Sequence, residues 1–407
     1  MIKIKKTITL ELECNKKDID ILEKVINFNS YEYIYPSYEN INKEKEKEKE
    51  KEKEKEKEKE KEIEKEKEKE KEKEKEKEKK EYNTIIEEYK DLIRTKEPID
   101  NTLYCVCMLS NPCNFKRRLQ LAREFIKRMS VEPHVVLYLV ELVYNKDQEF
   151  QITDSTNSRH IQLRTEVPLW HKENMLNIGL RKLTEQVKNW SAAAVIDMDI
   201  EFEDANWSLN ALKVLNNNEP TIAQLFSHAL DLNKDENPMT IFQSLCYQQV
   251  LKKPYGRIEN NTYQHPGYTL AFNRLAYDKM CSVDGFALYD LSILGSGDYN
   301  MMLSFINKAD ISVNILLKNY HKSVMSFQER VSSFKIAFVP GIIRHYFHGS
   351  KANRKYVERN TILMDNMFDP DRHITRSSEG ILIPTKDCPQ KLLDSIISYF
   401  LERNEDE

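Results

Sequence analysis

Glycine-rich phosphate loops are missing from this chain of 407 residues. Its nine glycines form neither the Gly-x-x-x-x-Gly-Lys-Ser/Thr loop nor the Gly-x-Gly-x-x-Gly fingerprint of dinucleotide-binding folds. Cysteine is also scarce, and seven unevenly spread residues do not make a disulfide framework. Cys105, Cys107 and Cys113 lie close together, but no second Cys or His pair follows at zinc-finger spacing. We expect Cys105 and Cys107, which alternate within an apolar strand pattern, to pack in a core.

Long apolar runs and a basic surplus are equally absent. No stretch has eighteen uninterrupted apolar residues, and residues 1–12 lack the continuous apolar segment of a signal peptide. The chain has 63 Lys and Arg against 67 Asp and Glu, a formal net charge of −4. We therefore expect a soluble, cytoplasmic protein without a transmembrane segment, and one that does not bind nucleic acid.

Residues 43–80 alternate Lys and Glu, interrupted only by Ile63 and the closing Lys79-Lys80. This tract cannot bury apolar surface, and its alternation places like charges at i,i+4, although both residue types favour helix. We predict a solvated spacer, either disordered or a solvated helix. The predicted organisation has four parts. A small N-terminal α/β segment spans 1–42, this spacer 43–81, a globular domain 82–385, and a C-terminal helix with an acidic tail 386–407.

The globular part begins with apolar strand patterns that alternate with amphipathic helical patterns. Strands at 103–109, 134–143 and 192–196 are separated by helices at 114–129 and 167–183, an order typical of a parallel α/β sheet. The polar stretch 236–264 predicts a loop-rich insertion. Further strands are predicted at 221–226, 268–272, 336–339 and 342–343, and further helices at 207–215, 274–280, 299–307, 351–363 and 392–401.

Two acids, Asp197 and Asp199, follow the apolar run 192–196. Ligands of open α/β sheets bind at the carboxyl ends of the strands, and residues i and i+2 of an extended backbone point the same way. Carboxylate oxygens suit Mg²⁺ or Mn²⁺, so the pair predicts a cation or polar-ligand site. The alternative is a strand that enters solvent through acidic residues.

Further candidates follow the last apolar strand. His345 and His348 stand three residues apart, and the alternatives are a ligand to a cation or one core and one surface histidine. Lys351 and Arg354 come next, where cationic side chains could neutralise a departing diphosphate or simply line a solvated helix face.

Four segments carry a family resemblance: Leu169 to Gly179, Val195 to Phe202, Gly295 to Asp298 and His345 to Ser350. Over residues 103–359 their order resembles a GT-A fold glycosyltransferase of the family 2-like type, within the nucleotide-diphospho-sugar transferase superfamily. The resemblance implies a Rossmann-like, mostly parallel sheet flanked by helices, and a Mn or Mg cofactor.

The resemblance also implies roles at the acidic pair. Asp199 becomes the metal ligand, with Asp197 near the ribose or the ion. His348 completes the metal shell, and His345 is the fallback.

Donor and acceptor roles follow from the same resemblance. Glu141 would contact the base or ribose of the donor, as would Asn174 or Asn177. Asp298 would be the general base of an inverting transfer. The family's usual Glu-Asp pair is Gly297-Asp298 here, and a helix N-cap is the alternative explanation for this acid.

The implied reaction moves a sugar from a UDP or GDP sugar to a hydroxyl of a glycan, protein or small-molecule acceptor. The alternative is a catalytically degenerate domain that acts as a binding or scaffold protein. Nucleotidyl transfer at a two-metal site is disfavoured, because it needs a third acid and a basic channel.

Overall fold

The computed structural model describes residues 42–256, 264–356 and 358–407. They belong to two units that divide between Lys79 and Lys80. The helix Asn42–Thr95 begins in the Lys-Glu tract, and its described side chains between Glu64 and Lys80 are exposed. Residues 1–41 of the N-terminal segment predicted at 1–42 lie outside the described residues. None of the described helices is both long and apolar enough to cross a membrane.

The second unit is a mixed α/β domain. Its strands, in chain order, are β1 Leu103–Ser110, β2 Val135–Tyr144, β3 His160–Thr165, β4 Ala192–Ile196, β5 Ile200–Phe202, β6 Thr221–Gln224, β7 His228–Leu232, β8 Pro238–Ser244, β9 Gln264–His265, β10 Thr269–Asn273, β11 Lys335–Phe338, β12 Ile342–His345, β13 Ile374–Arg376 and β14 Leu382–Pro384. After Asn42–Thr95, the helices are Lys116–Met129, Lys172–Gln186, Trp207–Val214, Leu245–Val250, Arg274–Met280, Gly297–Phe305, Lys318–Val331, Glu358–Asp365, Pro370–His373 and Gln390–Glu402, with 3-10 turns at Ala309–Ile311 and Lys351–Arg354.

Seven strands form the central sheet in the order β3-β2-β1-β4-β10-β6-β11. The strands β1 to β4 run parallel, β10 is antiparallel to both of its neighbours, and β11 is parallel to β6. The order 3-2-1-4 is that of the doubly wound Rossmann-like fold, whose ligand crevice opens where the connections reverse direction, between β1 and β4. The predicted parallel-rich α/β sheet is confirmed.

Both faces of the sheet are covered. Val106 packs on one face of β1, while Cys105 and Cys107 pack on the other, as the alternation of side chains along a strand requires. The predicted burial of both cysteines is confirmed. On the first face, a Cβ at Gly179 would lie 2.4 Å from Val106 Cγ1, so a glycine lets the helix Lys172–Gln186 lie directly on β1.

A second sheet has the order β5-β12-β7-β8-β9. The loop-rich insertion predicted at 236–264 is wrong for residues 238–250, which form β8 and the helix Leu245–Val250, while residues 257–263 lie outside the described part of the chain. The prediction depended on the lack of a periodic apolar pattern, and β8 shows none because its Met239 and Ile241 are half exposed. The helix predicted at 351–363 is also wrong, since the chain leaves helical geometry at Lys355, which has φ +42°.

Candidate functional site

Backbone hydrogen bonds fix the acidic pair at the end of β4. The Asp197 N–H donates to the Tyr268 carbonyl next to β10, at 2.9 Å. Two residues later, the Asp199 carbonyl accepts from Tyr346 N–H, also at 2.9 Å. Because Tyr346 directly follows β12, this bond brings the end of the second sheet to the acidic pair. Segments far apart in the sequence therefore meet at the carboxyl end of β4.

Three side chains converge at this junction. Asp199 Oδ2 lies 3.0 Å from His348 Nε2 and 3.9 Å from His345 Nε2. Three ligand atoms, one from each residue, lie within 4.8 Å of one another, the spacing of a group that can hold a metal ion. The other oxygen, Asp199 Oδ1, is buried and has no hydrogen-bond partner, which is costly unless a cation compensates it. The donor set and this unpartnered oxygen fit a divalent cation.

Each imidazole has a carboxylate behind it. His345 Nδ1 lies 2.8 Å from Asp231 Oδ1, and His348 Nδ1 lies 3.5 Å from Glu405 Oε2. Ligating histidines are commonly held in this way, with the N–H of the outer nitrogen directed to an acceptor and the lone pair of the inner nitrogen directed to the ion. Both Nε2 atoms therefore face Asp199 in the arrangement that a metal site requires.

Asp231 is itself held by several groups. It pairs in register with His345 across β7 and β12, is 1% exposed, and accepts a hydrogen bond from Tyr268 Oη at 3.0 Å. The Lys351 ammonium contacts its second oxygen. Burial alone would raise the pKa of Asp231, but the His345 and Lys351 contacts outweigh this and hold it well below its usual range.

Similar electrostatics keep Asp199 ionised. Burial acts to raise its pKa, yet the hydrogen bond with His348 and the charges of His345, His348 and Arg354 lower it far below the usual carboxyl range. Burial lowers the pKa of His345, against the opposing effect of Asp231 and Asp199. Metal ions bind ionised carboxylates and neutral imidazoles, so binding of a cation here would displace protons from the group.

Arg354 lies directly in front of this group. One of its guanidinium nitrogens is 3.0 Å from His348 Nε2, the nitrogen that also faces Asp199. The geometry thus places a cationic side chain predicted to bind the donor beside the predicted metal ligands.

Asp197 belongs to a neighbouring cluster. Its carboxylate pairs with Lys172 Nζ at 2.7 Å, and it is not one of the three side chains grouped around Asp199. Lys172, Asp197 and Asp298 line a cavity of about 30 Å³ with apolar walls. That volume suits one or two waters and is too small for a hexose.

Asp298 lies in the first turn of the helix Gly297–Phe305, whose N-cap is Ser296, so the acid is not the N-cap itself. Its Oδ1 accepts from Tyr299 N–H at 2.8 Å. A Cβ at Gly267 would lie 2.5 Å from Asp298 Oδ2, so the carboxylate rests on a surface that only glycine provides.

Arg359 supports the turn that presents this acid. It is buried, and it donates to the Leu294 carbonyl and to Ser296 Oγ. A Cβ at Gly295, which has φ +92°, would collide with its guanidinium. The charge of Arg359 is therefore used inside the protein rather than at a solvated helix face.

The remaining predicted donor residues have other partners. The buried Glu141 carboxylate accepts the backbone N–H groups of residues 151–153 at 2.6–3.0 Å, so it anchors the loop that follows its own strand. Asn174 and Asn177 are buried and both donate to Asp290 Oδ2. None of these three side chains is among the contacts made by Asp199, and their donor-binding roles stay predictions.

Sequence reasoning missed two members of the site. Asp231 lies between Leu230 and Leu232, and a strand pattern based on these two leucines would direct its side chain away from the core. Glu405 lies in an acidic stretch that resembles a solvated tail. The contacts that bury it come from residues far away in the sequence.

No family model and no curated protein matches this chain. Solved structures similar to parts of it include the following three. A protein named as a nucleotide-diphospho-sugar transferase from Desulfovibrio desulfuricans is 13% identical, with a TM-score of 0.22, and the match covers 58% of this chain and 100% of that one. Mannose-1-phosphate geranyltransferase from Thermus thermophilus is 9% identical, with a TM-score of 0.23 and 61% and 74% covered. An active-site mutant of LgtC is 9% identical, with a TM-score of 0.24 and 73% and 95% covered. Likeness at this level carries no argument about function.

Glu173 yields a prediction about pH. It is 2% exposed and its carboxyl group fills the space beside Gly297. Burial raises the pKa of Glu173 from 4.5 to about 8, so the folded protein holds this proton more tightly than the unfolded chain does. Its contribution to stability is therefore complete below pH 4.5 and is lost as the pH rises towards 8.

Glu173→Gln should remove this loss. Between pH 5 and pH 8 we expect the free energy of unfolding of the wild type to fall relative to the variant by up to about 3 kcal/mol. Urea denaturation of both proteins across this range measures the difference. Parallel stability curves would contradict the assignment.

Proposed function

We propose that this chain is a divalent-cation-dependent glycosyltransferase that moves a sugar from a nucleotide-diphosphate donor to an acceptor hydroxyl with inversion. The observation that carries the proposal is the group Asp199, His345 and His348, with its buried unpartnered carboxylate oxygen, at the carboxyl end of β4. This is the position next to β1 where the strand order predicts a ligand crevice. The GT-A resemblance of the sequence supports the same reaction.

The donor set favours Mn²⁺ over Mg²⁺. Mg²⁺ prefers oxygen ligands, whereas imidazole nitrogens suit transition metals. The side chains of Asp199, His345 and His348 would together hold the ion. A bound cation supplies Lewis-acid charge for the diphosphate of the donor.

The charged residues around this group fit the remaining roles. Arg354, now at His348 Nε2, can turn to the diphosphate of a UDP or GDP sugar. Lys351, now paired with Asp231, would supply a second positive charge if its ammonium turned to the diphosphate. Together they offset the negative charge that develops on the leaving diphosphate.

Asp298 is the proposed general base. It takes the proton of the acceptor hydroxyl while the acceptor oxygen forms its bond to the anomeric carbon and the nucleoside diphosphate leaves with the electron pair of the broken C–O bond. Lys172, which pairs with Asp197, borders the same cavity as Asp298.

Binding of the donor is the first test. UDP and GDP sugars should raise the melting temperature of the wild type more in the presence of Mn²⁺ than in its absence, because the cation lowers the Kd of the donor. A ligand at about 100 times its Kd stabilises the native state by about 2.7 kcal/mol, which is enough to detect. Asp199→Asn, which keeps the shape but removes the charge, should abolish this Mn²⁺ dependence. Thermal shift measures both proteins, and the same donors tested with Glu203→Gln control for loss of an exposed carboxylate.

A shift that does not depend on Mn²⁺ in the wild type, or an unchanged one in Asp199→Asn, would contradict the metal assignment. No shift with any donor would favour the alternative, a scaffold protein without catalysis.

Gly267→Ala tests the position of the base. The added methyl group would displace the Asp298 carboxylate, so we expect kcat to fall by about 100-fold or more, the range of general-base effects, with the donor KM little changed. Gly256→Ala is the matched control, because its Cβ would meet nothing within 4 Å. Equal kcat values for the two variants would remove Asp298 from the reaction.

A further inference from the structure

The residues 403–407 reach the proposed metal group from the far end of the described chain. Glu405 is 2% exposed although Asp406 and Glu407 beside it are exposed. Its Oε2 lies 2.6 Å from Arg118 Nε, and its Oε1 lies 2.7 Å from a terminal nitrogen of the same guanidinium. Arg403 Nε donates to Oε1 at 2.6 Å. A fourth contact, 3.5 Å from Oε2, is His348 Nδ1.

Two further features fix this segment in place. The exposed Asp406 carboxylate accepts the backbone N–H groups of Lys116 and Arg117, at 3.1 and 2.8 Å. These residues begin a helix that has no acidic residue in its own first turn and no side-chain cap, so Asp406 supplies the missing cap. Gly349, with φ +81°, lies beneath the segment, and a Cβ there would lie 3.0 Å from Glu405 Cα.

We propose that Glu405 is a positioning residue of the metal centre: it orients His348 and directs the Nε2 lone pair of that imidazole to the ion. The inference rests on the metal site of the proposed function. Asp231 makes the corresponding, shorter contact with His345 Nδ1, at 2.8 Å against 3.5 Å for Glu405 and His348, so each histidine has its own outer carboxylate. Such outer partners fix the tautomer and the ring orientation of a ligating histidine.

The competing explanation is that Glu405 serves only to neutralise Arg118 and Arg403. Arg403 is buried and Arg118 is partly buried, and the charges of both hold the pKa of Glu405 well below its usual range, against the opposing effect of burial. That role would affect stability, and in Glu405→Gln the uncovered charges of Arg118 and Arg403 would also weaken cation binding. Metal affinity in Glu405→Asp, which keeps the charge but withdraws it from His348, therefore separates the two roles.

The experiment measures the Kd of Mn²⁺ for the full chain by electron paramagnetic resonance, without nucleotide, for the wild type and the variants Glu405→Gln, Glu405→Asp, Asp406→Asn and His348→Ala. We expect Glu405→Gln to weaken binding by about tenfold or more, the usual effect of losing an outer partner. Asp406→Asn, in the same segment but without contact to His348, should stay within about twofold of the wild type. His348→Ala should lose binding.

Glu405→Asp covers the case in which Glu405→Gln does not fold. The shorter carboxylate keeps the charge that Arg118 and Arg403 require but withdraws from His348, so Mn²⁺ binding should weaken while thermal stability is largely kept.

Wild-type affinity in Glu405→Asp, or in a folded Glu405→Gln, would overturn the inference. Equal weakening in Asp406→Asn would also overturn it, since docking of the segment would then be the cause. In both cases, loss of Mn²⁺ binding in His348→Ala would still support the assignment of the metal centre. Unchanged Mn²⁺ binding in both His348→Ala and Asp199→Asn would instead overturn the metal centre itself.

Discussion

The interaction on which the site depends is the contact of the Asp199 carboxylate with His345 and His348. An ionised carboxylate with a buried unpartnered oxygen is costly, and the protein compensates it with two imidazoles and the guanidinium of Arg354. Because the Tyr346 N–H is bonded to the Asp199 carbonyl, the carboxylate and the histidines are fixed by backbone as well as by charge.

This contact joins the two sheets. The central sheet supplies Asp199 from the end of β4, and the second sheet supplies His345 from β12 and Asp231 from β7. The Lys172–Asp197 pair and Asp298 lie beside it, around a cavity with apolar walls. The proposed cation group around Asp199 and the proposed base Asp298 are therefore different groups of side chains. Sugar transfer requires both, because the charged diphosphate of the donor and the neutral hydroxyl of the acceptor need different partners.

Much of this could be predicted from the sequence where the signal is local. The run 192–196 predicts a buried strand because every residue is apolar, and the acids that end it mark the sheet edge. Glu141 was expected within the second apolar strand, and it lies in β2, but its donor role came only from the family resemblance. Its partners are backbone N–H groups of 151–153, which have no sequence signature. Glu405 could not be predicted, because its burial depends on Arg118, 287 residues earlier.

Crystals of the wild type soaked in Mn²⁺ and measured for anomalous scattering give the most direct test of the proposed metal centre. The account predicts a single strong peak within coordination distance of an Asp199 carboxylate oxygen, His345 Nε2 and His348 Nε2, with Arg354 moved away from His348. A peak held by Asp197 without the histidines, or no peak at this end of β4, would contradict it.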